Sequence, residues 1–522
     1  MRIVHSFLAY ILLVLKMKKT LFIKNAAILT ASSLILRFAG IIFKIWLAAA
    51  VGAEGIGLYQ LVFSVYVLAA TFATSGISTA VTRLVADELA IGSARGTLKI
   101  LRRCIQITLI IALASVALLI FGAKFIATTL LGDSRATLSI KILSLSLPFM
   151  GISSCLRGYF IARRKTGPAA SSQIFEQIIR ILIVVFAVKR FSHLGIATAC
   201  AAVLLGDTVA EGLSCLYMYL RFLYDKRAIG TLSGRARPPF GIVRAVLRIS
   251  LPITAGRYLN SGLRTIENIL VPKCLSKSHT GGDALSLFGM IKGMALPVLF
   301  FPSTLLNSLS TLLIPEMSEA QALGRRGVVC SVTRQILKVT SILSFIFAAI
   351  FLAVGNKIGF LLYKSREVGF LLTALSPIVP LMYLDSVSDG LLKGLDQQLF
   401  TFRTAVFDSA LRIALVLAVL PRWGIYGFIG IMYFSNLLTC LINVRRLLKV
   451  SGARIGFTQN ILMPLIIALL VTMLTDSLLG LIPSLPDLVY IILLCGIGIT
   501  AYITLLFAFK IVDTDDIRGL VK

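Results

Sequence analysis

Apolar runs of about 20 residues recur from one end of the chain to the other, each long enough to cross ~30 Å of hydrocarbon as a helix. Fourteen are distinguishable, centred near 40, 70, 113, 149, 179, 207, 257, 300, 345, 380, 410, 435, 470 and 498. A soluble domain that is 58% hydrophobic and only 14% charged would expose large apolar patches and aggregate. The chain therefore reads as an all-α polytopic membrane protein with 14 transmembrane helices. The runs near 257 and 300 contain Gly, Pro and charge, and are expected to be broken.

A net charge of +30 raises the question of nucleic acid, and the placement of the basic residues answers it. Clusters such as Arg163-Arg164-Lys165 and Lys226-Arg227 fall on segments that a cytoplasmic start puts inside, whereas the loop 52–57 has no Lys or Arg. This is the positive-inside bias, and it predicts a cytoplasmic-membrane protein with both termini in the cytoplasm. The basicity belongs to topology and to anionic lipid headgroups, not to nucleic acid. The eight cysteines show no CxxC or CxxH spacing and read as small buried apolar residues, with neither metal site nor disulfide frame. At the start, SFLAYILLVL (6–15) has no small-residue cleavage site after it, and Met17 offers a second start.

The chain is written twice. LRGYFIARRKTGPAASSQIFEQIIRILIVVF (156–186) parallels LKGLDQQLFTFRTAVFDSALRIALVLAVL (392–420). Each copy closes a span with a basic–Gly pair, Arg157-Gly158 or Lys393-Gly394. Each then places an acid four residues before an arginine, Glu176/Arg180 or Asp408/Arg412, and starts the next helix at a glycine, Gly195 or Gly424. Residues 57–92 parallel 286–324 in the same way. An even number of spans per copy gives both lobes one orientation, as in transporters that rock around a central site. The expected domains are an N-terminal extension (1–19), an N-lobe of helices 1–6 (20–225), a linker (226–241), a C-lobe of helices 7–12 (242–450), and helices 13–14 with a tail (451–522). The architecture is two six-helix lobes related by a pseudo-two-fold repeat, plus two C-terminal helices.

Charges inside the spans carry the functional signal, because each costs about 2.5–3.5 kcal/mol at the bilayer centre and so faces a cavity or a partner. Arg37 and Lys44, seven residues apart in LTASSLILRFAGIIFKIWLAAAV (29–51), share one helix face and suit an anion. Arg257 and Arg264 repeat that spacing, although Glu267 stands within i+3 reach of Arg264. Lys292 precedes Pro297 and Pro302, whose kinks would open a cavity beside it. Glu176/Arg180 and Asp408/Arg412 are spaced for intrahelical ion pairs. Asp207/Glu211 and Asp385/Asp389 are acids at i,i+4 with no evident partner on their helices, suited either to H⁺ or Na⁺ coupling or to neutralising the cationic helices. No phosphate-binding loop, catalytic triad, metal cluster or cofactor motif occurs, so the chain does not read as an enzyme.

AEGIGLYQ (53–60), SGISTAVTRLVADELA (75–90), LRGYF (156–160), SSQIFEQIIRI (171–181) and the FPS…IPEMSEA run (301–320) together resemble the polysaccharide-exporter branch of the MOP (multidrug/oligosaccharidyl-lipid/polysaccharide) superfamily. Within it the chain looks most like the stage V sporulation B type and the lipid II flippases, over roughly residues 20–510. The resemblance implies a V-shaped transporter that moves polyprenyl-pyrophosphate-linked saccharide to the outer leaflet by alternating access. It also implies membrane lipids and envelope-synthesis proteins as partners. Arg37 and Lys292 fall on basic positions of that family's first and eighth helices. The second basic position of the first helix falls on Phe43, beside Lys44. A multidrug exporter of organic cations and a non-transporting envelope or spore-cortex scaffold are the alternatives; two cations and no acid on the first helix speak against the former.

Overall fold

In the computed structural model, residues 21–74, 76–229, 239–278, 283–482, 485–509 and 511 are described; side chains are described from Ile35 onward, Arg37 being one of the exceptions. The N-terminal extension with Met17, residues 230–238 of the linker and the 512–522 tail lie outside the described residues.

The chain forms two compact units that divide between Lys273 and Cys274. The first holds α1 (Leu21–Thr74), α2 (Ile77–Ala90), α3 (Ala94–Phe125), α4 (Ala136–Ser144), α5 (Leu147–Ala162), α6 (Thr166–Phe191), α7 (Ile196–Ile229) and α8 (Pro239–Leu275). The second holds α9 (Ala284–Gly289), α10 (Leu296–Phe300), α11 (Ser303–Ala322), α12 (Arg326–Tyr363), α13 (Arg366–Leu375), α14 (Val379–Gly394), α15 (Gln398–Ser451), α16 (Met463–Gly480) and α17 (Asp487–Ala508). The repeat assigned the seventh helix, α8, to the C-lobe, but its packing is with the first unit. Small polar side chains explain why. Thr265 Oγ1 donates to the Ser64 carbonyl (3.0 Å), Asn268 to Ser64 Oγ (3.0 Å), and Tyr258 to the Phe72 carbonyl (3.1 Å), with the Tyr258 and Phe72 rings stacked at 4.0 Å.

Among the described residues, ten helical segments are long and apolar enough to cross a membrane. Two of them include a helix too long for a single crossing. The 54 residues of α1 and of α15 would extend about 80 Å if straight, well over twice the hydrocarbon thickness. Each is interrupted by a glycine in a conformation L side chains rarely adopt, Gly52 (φ 79°) and Gly424 (φ 52°). The eighth span is broken as its prolines suggest, passing through a π-helical stretch at 290–295 and a turn at Phe301-Pro302. The seventh instead runs as one helix of 37 residues.

Within the first unit a core of Val81, Leu84, Leu101, Leu156, Tyr159, Met218 and Val246 ties α2, α3, α5, α7 and α8 together. In the second, Phe345, Ile350, Val471, Leu494 and Tyr502 pack α16 and α17 on α12, which is where the two helices outside the repeat find their place. The basic–Gly pairs have a packing role. A Cβ on Gly158 would lie 2.7 Å from the Ser78 carbonyl of α2, and one on Gly394 would lie 3.2 Å from the Ile314 carbonyl of α11. In both units a hydroxyl from that neighbouring helix donates to the glycine carbonyl, Thr82 at 3.1 Å and Ser318 at 2.8 Å. Close approach of small residues is the ordinary route to helix association in lipid.

Candidate functional site

Two kinds of charged group occupy these helices: cations with exposed side chains, and acids held in networks. Lys44 on α1 is exposed, and so are Arg257 and Arg264 on α8. The Arg37 side chain lies outside the described residues. On α8, Tyr258, Ser261, Thr265 and Asn268 form the face bonded to α1, and the two arginines lie beside that face. Glu267, within i+3 reach of Arg264, is buried while Arg264 is exposed. Lys292 belongs to the second unit, where it is half-buried on the π-helical stretch.

The acids sit in networks. In the first unit Arg180 stands 2.7 Å from Glu176 on its own helix and 2.9 Å from Asp207 on α7. Glu211, buried one turn further along α7, faces Arg157 of α5 at 3.9 Å. Asp207 and Glu211 therefore do have cationic partners; these come from neighbouring helices, which the spacing on α7 alone does not reveal. In the second unit Arg412 lies 3.3 Å from Asp408 and donates to Ser435 (2.7 Å), whose hydroxyl in turn donates to Asp408. Asp385 accepts from Asn443 at 2.8 Å. Asp389 pairs with Lys393 at 2.5 Å, which corrects the expectation that it lacks a partner on its own helix. Each of these carboxylates has a cation or a hydrogen-bonding amide beside it, which lowers the cost of a charge away from water.

Two further networks escaped the sequence. Asp225 at the end of α7 accepts from Tyr159 (2.8 Å), Arg163 (3.1 Å) and Lys165 (2.6 Å), tying the 163–165 turn to α7. The signal in the sequence was the RRK turn, whose acidic partner lies some 60 residues further on. Across the opposite ends of the helices, Arg135 bridges Asp133 and Glu54, each at 2.7 Å. Burial works to raise the Asp133 carboxyl, but the side-chain and backbone hydrogen bonds from Arg135 outweigh it and hold the group below the usual carboxylate range.

Among the described residues the fold is all-helical, and charged side chains lie on helices long and apolar enough to cross a membrane. The family described as polysaccharide biosynthesis protein matches residues 22–321, and the chain belongs to that family. Stage V sporulation protein B of Bacillus subtilis (strain 168) is 28% identical over 443 residues, which cover 83% of this chain and 85% of the relative. Lipid II flippase MurJ of the same organism is 24% identical over 457 residues, 81% of this chain and 82% of the relative. A solved structure titled "Lipid II flippase MurJ, inward closed conformation" matches with a TM-score of 0.70 at 14% identity, over 95% of this chain and 99% of that one. The motifs at 53–60, 75–90, 156–160, 171–181 and 301–320 thus pointed to the right superfamily, and the chain stands among transporters rather than enzymes.

Proposed function

We propose that this protein is a flippase for a polyprenyl-pyrophosphate-linked saccharide, a lipid II-like peptidoglycan or polysaccharide precursor. On this reading fourteen spans form two repeat-related lobes with both termini in the cytoplasm. The headgroup crosses by alternating access while the lipid tail stays in the bilayer. The observation that carries the proposal is the asymmetry of the embedded charges. Glu176, Asp207, Glu211, Asp385, Asp389 and Asp408 are each engaged by Arg, Lys or Asn, whereas Lys44 on α1 and Arg257 and Arg264 on α8 are exposed. Exposed cations held at membrane depth are costly unless something negative uses them. A diphosphate entering such a space exchanges water for guanidinium forks, which bind phosphate oxygens bidentately, and for the point charge of a lysine. Arg37 and Lys292 are assigned to the same path, and the acid networks to structure or to H⁺ or Na⁺ coupling.

Complementation of a strain depleted of its lipid II flippase tests the proposal. Growth restored by the wild-type chain, and abolished by Arg257→Ala/Arg264→Ala at equal membrane abundance, is the expected result. Efflux of cationic dyes that depends on Asp207 and Asp385 would instead identify an organic-cation exporter. A complementing chain indifferent to every cationic substitution would identify a scaffold.

A further inference from the structure

The first unit contains an apolar groove unrelated to the embedded cations. It encloses about 170 Å³ and is lined by Phe72 of α1, Ile77 of α2, Ile107 and Ile111 of α3, and the Leu247, Leu251 and Tyr258 stripe of α8. Its polar lining is limited to the hydroxyls of Ser250, Thr254 and Tyr258; Thr254 donates to the Ser250 carbonyl and Tyr258 to the Phe72 carbonyl. Tyr258, stacked on Phe72, closes one end. The floor is narrow because Gly76 (φ 75°) lets α8 approach: a Cβ there would lie 2.7 Å from the Ser250 carbonyl. A space this small and this apolar admits a chain segment and no headgroup.

The other end of the groove is basic. Arg103 lies four residues before Ile107 on α3, and Arg244 lies three residues before Leu247 on α8, so each sits about one turn from a lining residue of its own helix. Both are exposed, as is Arg248 beside them. Arg103 donates only to the neutral Gln106. The sequence holds no acid on α3, and none on α8 before Glu267. On α2 the acids are the exposed Asp87 and the buried Glu88, which follow Leu84 and Val85 of the core shared with Leu101 and Val246.

We propose that this groove is a binding site for an anionic diacyl phospholipid, with one acyl chain between α3 and α8 and the headgroup phosphate held by Arg103 and Arg244. An apolar slot bounded by two arginine forks matches that ligand in both its parts: the chain is buried beside Leu251 and Ile111, and each fork meets phosphate oxygens. A zwitterionic lipid would fill the slot equally well but would gain less from the exposed arginines of the lip. On the topology proposed above, the basic end opens to the cytoplasmic leaflet. The bound lipid would brace α8 against α3, where its direct hydrogen bonds to α1 end at Tyr258.

Native mass spectrometry of the full chain released from nanodiscs of equal phosphatidylglycerol and phosphatidylcholine tests the site. The wild type is expected to retain phosphatidylglycerol preferentially. Arg103→Gln and Arg244→Gln should each weaken retention about five-fold, the ordinary effect of removing one basic group near an anionic lipid. Leu251→Trp, which fills the slot and leaves both arginines, should abolish retention. Unchanged retention in Arg103→Gln/Arg244→Gln or in Leu251→Trp, with variants eluting as monodisperse protein, would overturn the proposal. So would retention of only a polyprenyl-linked lipid. Because Lys44, Arg257 and Arg264 are untouched, this result and a failure of the flippase reading are separable.

Discussion

Two charged pairs of the same spacing, one in each unit, sit in different surroundings. Glu176/Arg180 and Asp408/Arg412 hold the same i,i+4 spacing, yet the third partner differs. In the first unit it is a carboxylate, Asp207 at 2.9 Å from Arg180; in the second it is a hydroxyl, Ser435, which accepts from Arg412 and donates to Asp408. One arginine therefore stands within ion-pair distance of two acids in the first unit, whereas in the second Arg412 shares Asp408 with a hydroxyl. A repeated sequence motif conserved the local pair, while the helix packed against it decided how strongly the charges depend on one another.

The sharpest break of this comparison is removal of the arginine. Arg180→Ala strands two buried carboxylates and should destabilise the protein by about 3–5 kcal/mol, the usual loss when one partner of a buried charge network is deleted. Arg412→Ala leaves Asp408 with the Ser435 hydroxyl and should cost about 1–3 kcal/mol. Thermal unfolding of the two variants in the same nanodiscs checks this; equal losses would mean that the third partner does not matter. The double variant Arg180→Ala/Asp207→Asn should recover part of the loss, with a coupling of about 0.5–3 kcal/mol.

A smaller difference lies at the helix crossings. Gly158→Ala drives a methyl to 2.7 Å from the Ser78 carbonyl, whereas Gly394→Ala meets the Ile314 carbonyl at 3.2 Å. Overpacking should cost about 1–3 kcal/mol in the first case and fall at or below the bottom of that range in the second. Expression-normalised melting curves that rank them in reverse would contradict the packing.

The smallest effect concerns the Arg135–Asp133–Glu54 bridge. The folded Asp133 carboxyl lies below its ordinary value, so its stabilisation is present at neutral pH and above the unfolded carboxylate range near ~4. It is lost as pH falls through the folded value. Arg135 is partly solvated (40%), so screening limits the bridge to about 1 kcal/mol or less. Arg135→Gln should flatten the acid limb of a stability–pH curve, and high salt should mimic it in the wild type. An acid limb unchanged by the substitution would remove the bridge from the account.

What the sequence revealed follows the range of the forces involved. Apolar runs, positive-inside clusters and i,i+4 charge spacing are local, and they gave the helical membrane class, the repeat grammar and the Glu176–Arg180 contact. Partners on neighbouring helices left no periodic trace: Arg180 with Asp207, Arg157 with Glu211, and Asp225 with the 163–165 turn. The same holds for α8, whose attachment to the first unit rests on scattered hydroxyls and amides at Ser64, Thr265 and Asn268. Pro252 and Gly262 suggested a broken seventh helix, yet the helix is continuous; in the eighth, Pro302 does mark the break. Asp389 was misread because Lys393, its partner, had been assigned to closing the span.

The central claim is that the exposed cations of α1 and α8 receive a diphosphate. Its most direct test is equilibrium binding of a lipid-linked pyrophosphate saccharide to the nanodisc-embedded protein, wild type against Arg257→Gln/Arg264→Gln, with Arg257→Lys/Arg264→Lys as the charge-preserving control. The account predicts at least about ten-fold weaker binding for the glutamine pair, the equivalent of one charge-assisted hydrogen bond of about 1.4 kcal/mol, and an intermediate loss for the lysine pair. Binding unchanged in both pairs would contradict it.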